Sequence, residues 1–387
     1  MADVVFYVQH LLGIGHFMRS FRVAAATARV GLDVALVSGG PEVPDPEPAR
    51  ITRYQLPSLR AGPGGFRDLR RGDGAAATTA DLVERRRRLC ALLAELKPRL
   101  LVVEAFPFGR WQLRDEIVAM LEAAHALEPR PLVVSSIRDI LQESRKPGRT
   151  ERTLTAFDRY FDAVLVHGDP HLVRLDESFP AAAHLAARLH YTGIVAPPRS
   201  PPPATGTPRS REIVVSAGGG AVGEKLLAAA CAAHDRLAAK GYAWRLIGGL
   251  HPSPTVRGLL AAHSGDTLAI EDFRRDLAGL LACSALSISQ AGYNTVADIL
   301  VADVPAVLVP YATGGETEQS MRAERLAALG LALCLPEDTL DGAALAVATE
   351  AALALPRPAV AIDLDGAAHS ARLMTSWLRS GRIASPA

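Results

Sequence analysis

The chain is poor in cysteine. Four occur in 387 residues, at Cys90, Cys231, Cys283 and Cys334, and none forms a CxxC pair. That argues against a disulfide framework and a cysteine-based zinc site, and it suits a reducing compartment. Each lies in an apolar stretch, where cysteine behaves as a small buried residue. An excess of charge is missing too: charged residues are 21% and the formal net charge is +1. Nucleic-acid-binding domains are usually strongly basic, so no nucleic-acid partner is expected, and ligands must be recognised by local sites. No run approaches the roughly 18 apolar residues of a membrane-spanning helix. The opening MADVVFYVQHLLGIGH lacks the basic segment and cleavage site of a signal peptide. A soluble, cytoplasmic protein is the expectation. HExxH, GxSxG and paired metal-ligand spacings are absent as well.

What is present is apolar residue in quantity, 49% of the chain. With this length, two cores and two domains are expected. Short β-branched runs alternate with Ala/Leu-rich helical patterns. Strands are expected at residues 4–9, 33–37, 100–103, 132–136 and 163–166, with helices at 82–96 and 111–126 between them. Such alternation implies right-handed βαβ units and a parallel, doubly wound sheet. Residues 196–210, APPRSPPPATGTPRS, hold six prolines and no apolar periodicity. They read as a semi-rigid linker. The alternation then restarts, with strands at 213–217 and 243–247 around a helix at 221–240. The division expected is an N-terminal domain over 1–195, a linker over 196–211 and a C-terminal domain over 212–365. A last helix over 366–387 could cross back to the N-terminal domain.

Four strand–helix junctions could carry chemistry. VSAGGGAVGEK, residues 215–225, puts Gly218, Gly219 and Gly220 before a helix. Three glycines let the backbone approach a ligand, and free N–H groups at a helix start attract anions. The loop is either a diphosphate cradle or a tight turn without ligand. SQAGYNTVAD, residues 289–298, opens another helix; Gly292 allows close approach, and Thr295 and Asp298 share a face. Asp298 can accept hydrogen bonds from a ribose diol. The structural alternative is capping by Asn294 or Thr295. PYATGGETEQSMRA, residues 310–323, brings Glu316, Glu318 and Gln319 to a strand end where a sugar's hydroxyls would lie, or it is merely an acidic first turn. GIGHFMRS, residues 13–20, places His16 between flexible Gly13 and Gly15 and a helix, with Arg19 one turn on. A histidine there can take a proton from a hydroxyl or a water; otherwise it packs at a turn.

Strand-end residues Glu104, Ser136, Arg138, Asp139 and His167 are further candidates. The run of arginines at 85–88 points in different directions on a helix. It is either a solvated face or a basic membrane-surface patch, which leaves a peripheral membrane contact open.

These four motifs, in this order, resemble the family 28 glycosyltransferases of GT-B fold, the N-acetylglucosaminyltransferase of peptidoglycan synthesis among them. The likeness is strongest over residues 272–323. It implies two doubly wound Rossmann-like domains facing across a cleft, with a nucleotide-sugar donor on the C-terminal one and an acceptor on the other. Phe273 would border the uracil, Gly218 to Gly220 the diphosphate, Thr295 the phosphates and Asp298 the ribose. Gln319 would contact the sugar, and His16 matches the family's histidine. Gly13, Gly15, Arg19, Glu104 and Arg138 fall on the acceptor side. Two positions depart: Asp298 stands where the family usually has Glu, and Glu318 where it has the first of two glutamines. The expected activity is hexosyl transfer from a UDP-sugar without metal or other cofactor. The G-I-G-H-x-x-R loop also resembles a UDP-sugar hydrolase of the same fold. Hydrolysis, epimerisation and non-catalytic nucleotide-sugar binding are the alternatives.

Overall fold

A computed structural model describes residues 2–43, 50–142, 147–199, 209–217, 223–248, 254–263, 265–356, 358 and 360–386. The chain divides into two compact units, Met1–Val195 with Asp365–Ala387, and Ala196–Leu364.

The first unit starts with β1 (Val4–Val8), α1 (Gly15–Arg29), β2 (Val34–Ser38) and β3 (Ile51–Gln55). A hairpin of β4 (Leu59–Gly62) and β5 (Gly65–Arg71) follows, then α2 (Thr79–Leu96), β6 (Leu100–Glu104) and α3 (Arg114–His125). The unit continues with β7 (Leu132–Arg138), α4 (Arg149–Tyr160), β8 (Ala163–His167), α5 (Leu175–Ser178) and β9 (Leu189–Tyr191). One seven-stranded sheet runs in the order β3-β2-β1-β6-β7-β8-β9, all parallel. β1, β2, β6 and β8 are buried along their whole length. That is why they read as continuous apolar runs: a parallel sheet is covered on both faces. α2 begins at Thr79 with a capping box between Thr78 and Asp81. The helical pattern from Trp111 opens as a short 3-10 turn, Trp111–Leu113, before α3.

The second unit holds β10 (Glu212–Ser216), α6 (Glu224–Leu237), β11 (Ala243–Ile247), α7 (Pro254–His263) and β12 (Leu268–Glu271). It continues through α8 (Leu277–Cys283), β13 (Leu286–Ser289), α9 (Tyr293–Ala302), β14 (Ala306–Leu308), α10 (Glu318–Ala328), β15 (Leu333–Cys334) and α11 (Gly342–Leu353). Its six parallel strands run β12-β11-β10-β13-β14-β15. Of the proline-rich segment, residues 200–208 lie outside those described. Its end is pinned to this unit. The Ser210 amide donates to the Cys283 carbonyl at 2.7 Å, and the Arg209 guanidinium reaches the carbonyls of Ser284 and Asp303.

The last helix, α12 (Gly366–Ser380), belongs to the first unit. Met374, Trp377 and Leu378 join the core made by Val4, Phe6, Phe17 and Phe21. Gly366 lies so close to the chain at 193–194 that a Cβ would meet the Gly193 carbonyl at 2.4 Å. Among the described residues no helix is long and apolar enough to cross a membrane.

Candidate active site

In each sheet the winding reverses at one point, between β1 and β6 in the first unit and between β10 and β13 in the second. Doubly wound sheets bind ligands beyond the strand C-termini at such points. In the first unit the loop after β1 carries Gly13, at φ +56°, and leads into α1. No side chain caps that helix, so His16 and its neighbouring N–H groups face the loop unobstructed by a cap. Glu104 is the last residue of β6. The strand order makes it the neighbour of this loop, and His16 Nδ1 lies 2.6 Å from Glu104 Oε1. Arg19, one turn along α1, donates through Nη2 to the same oxygen at 2.6 Å. Three expected residues, 85 or more positions apart in the case of Glu104, thus form one cluster.

The cluster is nearly dry. The side chains of Glu104 and Arg19 are 1% and 3% exposed and that of His16 24%. Burial by itself would raise the Glu104 carboxyl, but the hydrogen bond from His16 and the charges of Arg110 and Arg19 outweigh it and hold the group well below the usual carboxylate range. Burial pushes His16 down to about 3, against the pull of Glu104 and with the help of Arg110 and Arg19. His16 is therefore neutral near pH 7. An ionised carboxylate can only accept, so Nδ1 carries the proton and Nε2 keeps its lone pair. That is the tautomer a general base needs.

Arg110 has no counterpart among the residues singled out from sequence. It follows β6 in left-handed conformation, φ +61°, as does Ala105 at +65°. Its Nε donates to the Gln9 carbonyl at 2.7 Å, and its Nη2 stands 3.8 Å from Glu104 Oε2. Only the tertiary geometry reveals it. Arg138 ends β7, half-buried and close enough to Arg110 to disfavour that second cation. Gly15 is the first residue of α1.

The other strand-end candidates are absorbed by structure. Ser136 Oγ lies 2.8 Å from His167 Nε2, and His167 Nδ1 lies 2.9 Å from Thr192 Oγ1, all buried. Asp139 is buried, its Oδ1 accepting from the Ile140 amide. The reading of residues 85–88 as one solvated or membrane-facing surface is corrected. Arg85 is fully buried and bonds Glu116 twice, at 2.9 and 2.8 Å, as well as Gln9 Oε1. The Tyr7 hydroxyl donates to the same Glu116 at 2.5 Å. Arg87 and Arg88 pair with Glu84 at the surface. Helical periodicity turns one arginine inward and the others out.

In the second unit, Gly218, Gly219 and Gly220 lie outside the described residues. Beside them, Gly223 precedes α6, and a Cβ there would fall 2.1 Å from that of Ala217. Gly292 is the N-cap of α9, with open space where a Cβ would be and no side-chain cap. Neither Asn294 nor Thr295 caps the helix, and Asn294 Oδ1 is buried without a hydrogen-bond partner. The start of α9 keeps its anion-attracting N–H groups. Thr295 and Asp298 sit half-buried on its first turns. Phe273, after β12, is 38% exposed. Gln319 Oε1 accepts from the Tyr311 amide at 3.1 Å, which leaves its NH2 for other acceptors. Glu316 is half-buried and precedes α10.

Glu318 takes a different place from the sugar contact expected of it. It is buried and paired at 2.7 Å with Arg322, whose Nη1 donates to the Ala291 carbonyl at 2.8 Å. The pair braces the chain just before Gly292. Arg322 also escaped the sequence reading, because it acts on a main-chain carbonyl that no motif marks. Among the described residues no group of three or more His, Cys, Asp or Glu side chains could hold a metal ion.

Residues 214–358 match the family model described as the glycosyltransferase family 28 C-terminal domain. The C-terminal unit carries a family 28 glycosyltransferase domain. A stretch of 92 residues is 35% identical to the UDP-N-acetylglucosamine–N-acetylmuramyl-(pentapeptide) pyrophosphoryl-undecaprenol N-acetylglucosamine transferase of an Exiguobacterium strain. That stretch is 24% of this chain and 26% of the relative. The namesake from Rhodospirillum centenum is 37% identical over 94 residues, 24% and 25% of the two chains. The chain thus matches about a quarter of these relatives' length. Solved structures extend the likeness of fold to both units. The calicheamicin glycosyltransferase CalG4 superposes with a TM-score of 0.58 at 19% identity, covering 98% of this chain and 94% of its own. MurG of Acinetobacter baumannii gives 0.55 at 17%, covering 98% and 99%. The architecture is the GT-B glycosyltransferase fold, two Rossmann-like domains in one chain.

Proposed function

We propose that the protein is a glycosyltransferase that moves a hexosyl group from a nucleotide-diphosphosugar, a UDP-sugar by preference, to an acceptor hydroxyl. The observation that carries this reading is the His16–Glu104 pair at 2.6 Å, in a chain with a family 28 domain. The acceptor oxygen attacks the anomeric carbon while His16 Nε2 takes its proton. The bond from that carbon to the diphosphate breaks, and its electron pair leaves with the nucleotide. General-base help of this kind contributes about 10²–10⁴-fold. The uncapped start of α9, with Thr295 beside it, is suited to meet the departing charge, and Asp298 to hold the ribose. Phe273 would flank the base, and the Gln319 amide would face the sugar. Because helix N-termini supply the positive potential, we propose that no metal takes part.

The same pair would deprotonate water, and the G-I-G-H-x-x-R loop with Arg19 on Glu104 favours that second reading, hydrolysis of the nucleotide sugar. Melting curves with UDP, dTDP and their sugars test the class, since a ligand bound only by the folded state raises the midpoint. No shift with any of them sinks the reading, and binding without turnover would leave a nucleotide-sugar binding protein. Incubation with UDP-N-acetylglucosamine alone separates the enzymes: a hydrolase releases UDP and free sugar in equal amounts, whereas a transferase leaves most donor intact. Activity should survive EDTA; its complete loss removes the metal-free claim.

A further inference from the structure

The loop between β14 and α10 has two consecutive backbone amides held by side chains from different elements. Gln319, in the first turn of α10, takes the Tyr311 amide at 3.1 Å. Glu337, in the turn between β15 and α11, takes the next one: its Oε2 accepts from the Ala312 amide at 3.1 Å and the Thr313 hydroxyl at 3.4 Å. The main chain of Glu337 has a separate partner, since its carbonyl accepts from Lys225 Nζ, in the first turn of α6. One residue therefore ties the helix that follows the glycine-rich loop to the loop that delivers Gln319. Its side chain grips only the second of these.

We propose that Glu337 is a positioning residue for the sugar half of the donor. This rests on the nucleotide-sugar reading above. Glu337 orders the 311–313 segment, and that segment orients the Gln319 amide by occupying its carbonyl oxygen. The nucleotide half depends on different groups, the starts of α6 and α9 and Asp298; Glu337 meets α6 only through its main-chain carbonyl, which a side-chain substitution keeps. A carboxylate accepting two hydrogen bonds from one loop should matter for the ligand group that loop contacts and not for the rest of the ligand.

The test uses two variants of the full chain, Glu337→Leu and Glu337→Gln, and two titrations by calorimetry, UDP against UDP-N-acetylglucosamine and UDP-glucose. Leucine fills the space and removes the acceptor; glutamine keeps an acceptor oxygen. Loss of one such hydrogen-bonded tether should weaken the better-bound UDP-sugar about tenfold in Glu337→Leu. UDP should bind within about twofold of wild type, and Glu337→Gln should restore most of the sugar's affinity. Equal weakening of UDP and UDP-sugar in Glu337→Leu, no weakening of either, or a wild-type protein that binds UDP as tightly as both UDP-sugars would each overturn the inference. A wild-type protein that binds none of the three fails earlier, at the donor reading, and takes the inference with it.

Discussion

Replacing Glu104 with glutamine should damage both rate and stability, by separable routes. Glutamine keeps the shape and removes the charge. Its amide can offer N–H to His16 Nδ1, which stabilises the other tautomer and puts the proton on Nε2, where a base needs a lone pair. The full general-base contribution, about 10²–10⁴-fold, is then at risk, equivalent to roughly 3–5 kcal/mol of barrier. Stability falls because Arg19, 3% exposed, and Arg110, 9% exposed, lose their shared counter-charge. Removing one partner of a buried pair typically costs about 3–5 kcal/mol. At a few degrees per kcal/mol, the melting temperature should drop on the order of 10 °C. His16→Ala leaves the Arg19–Glu104 contact intact, so it should lose a similar factor in rate with a much smaller change in melting. The double variant should be no slower than His16→Ala, because the carboxylate acts through the imidazole. The assay is initial-rate UDP release, run well below the lowered melting point. If the two rate losses multiply, or if His16→Ala turns over at the wild-type rate, the pair is not the catalytic unit argued above.

Acid should destabilise the first unit through its buried histidines. Burial holds His167 at about 3 and His10 at about 4, against an ordinary value of 6.5. Between those values and 6.5 the unfolded chain binds more protons, so this stability is complete above pH 6.5 and is lost as pH falls below it, each group adding about 1.4 kcal/mol per pH unit. Denaturant unfolding from pH 7 to 4.5 should show it, and His167→Gln should flatten the slope by about one proton; an unchanged slope refutes the assignment. Gly223→Ala must force the start of α6 away from Ala217, since the two Cβ atoms would be 2.1 Å apart. Overpacking of that kind costs roughly 1–3 kcal/mol. UDP titration of this variant should show weaker binding, and an unaltered dissociation constant would remove α6 from the nucleotide site.

Much of the fold was readable because parallel strands are buried on both faces. β1, β6 and β8 announce themselves as apolar runs, and the glycine-bearing junctions after β1 and β13 mark where helices start. The regions that escaped reading have mixed faces. β3 mixes half-buried and exposed positions at the sheet edge, and β4 and β5 form a separate two-stranded hairpin. Arg85 looked like its solvent-facing neighbours, because nothing in R-R-R-R says which arginine the helix turns inward. Glu318 looked like a ligand contact because its partner, Arg322, is one turn away but meets the Ala291 carbonyl only in the folded unit.

His16 itself was a sequence-level candidate, fixed in place by the loop G-I-G-H and the helix that follows. Local chemistry determines that much: glycines permit the turn, and the apolar period starts the helix. What decides whether this histidine can act as a base is Glu104, 88 positions away. That proximity comes from β6 taking the place beside β1, with β2 and β3 on the other side. Strand order is set by which surfaces bury one another over long separations, so the charge pairs at strand ends, His16–Glu104, Arg19–Glu104 and Arg110 beside them, exist only once the sheet has closed.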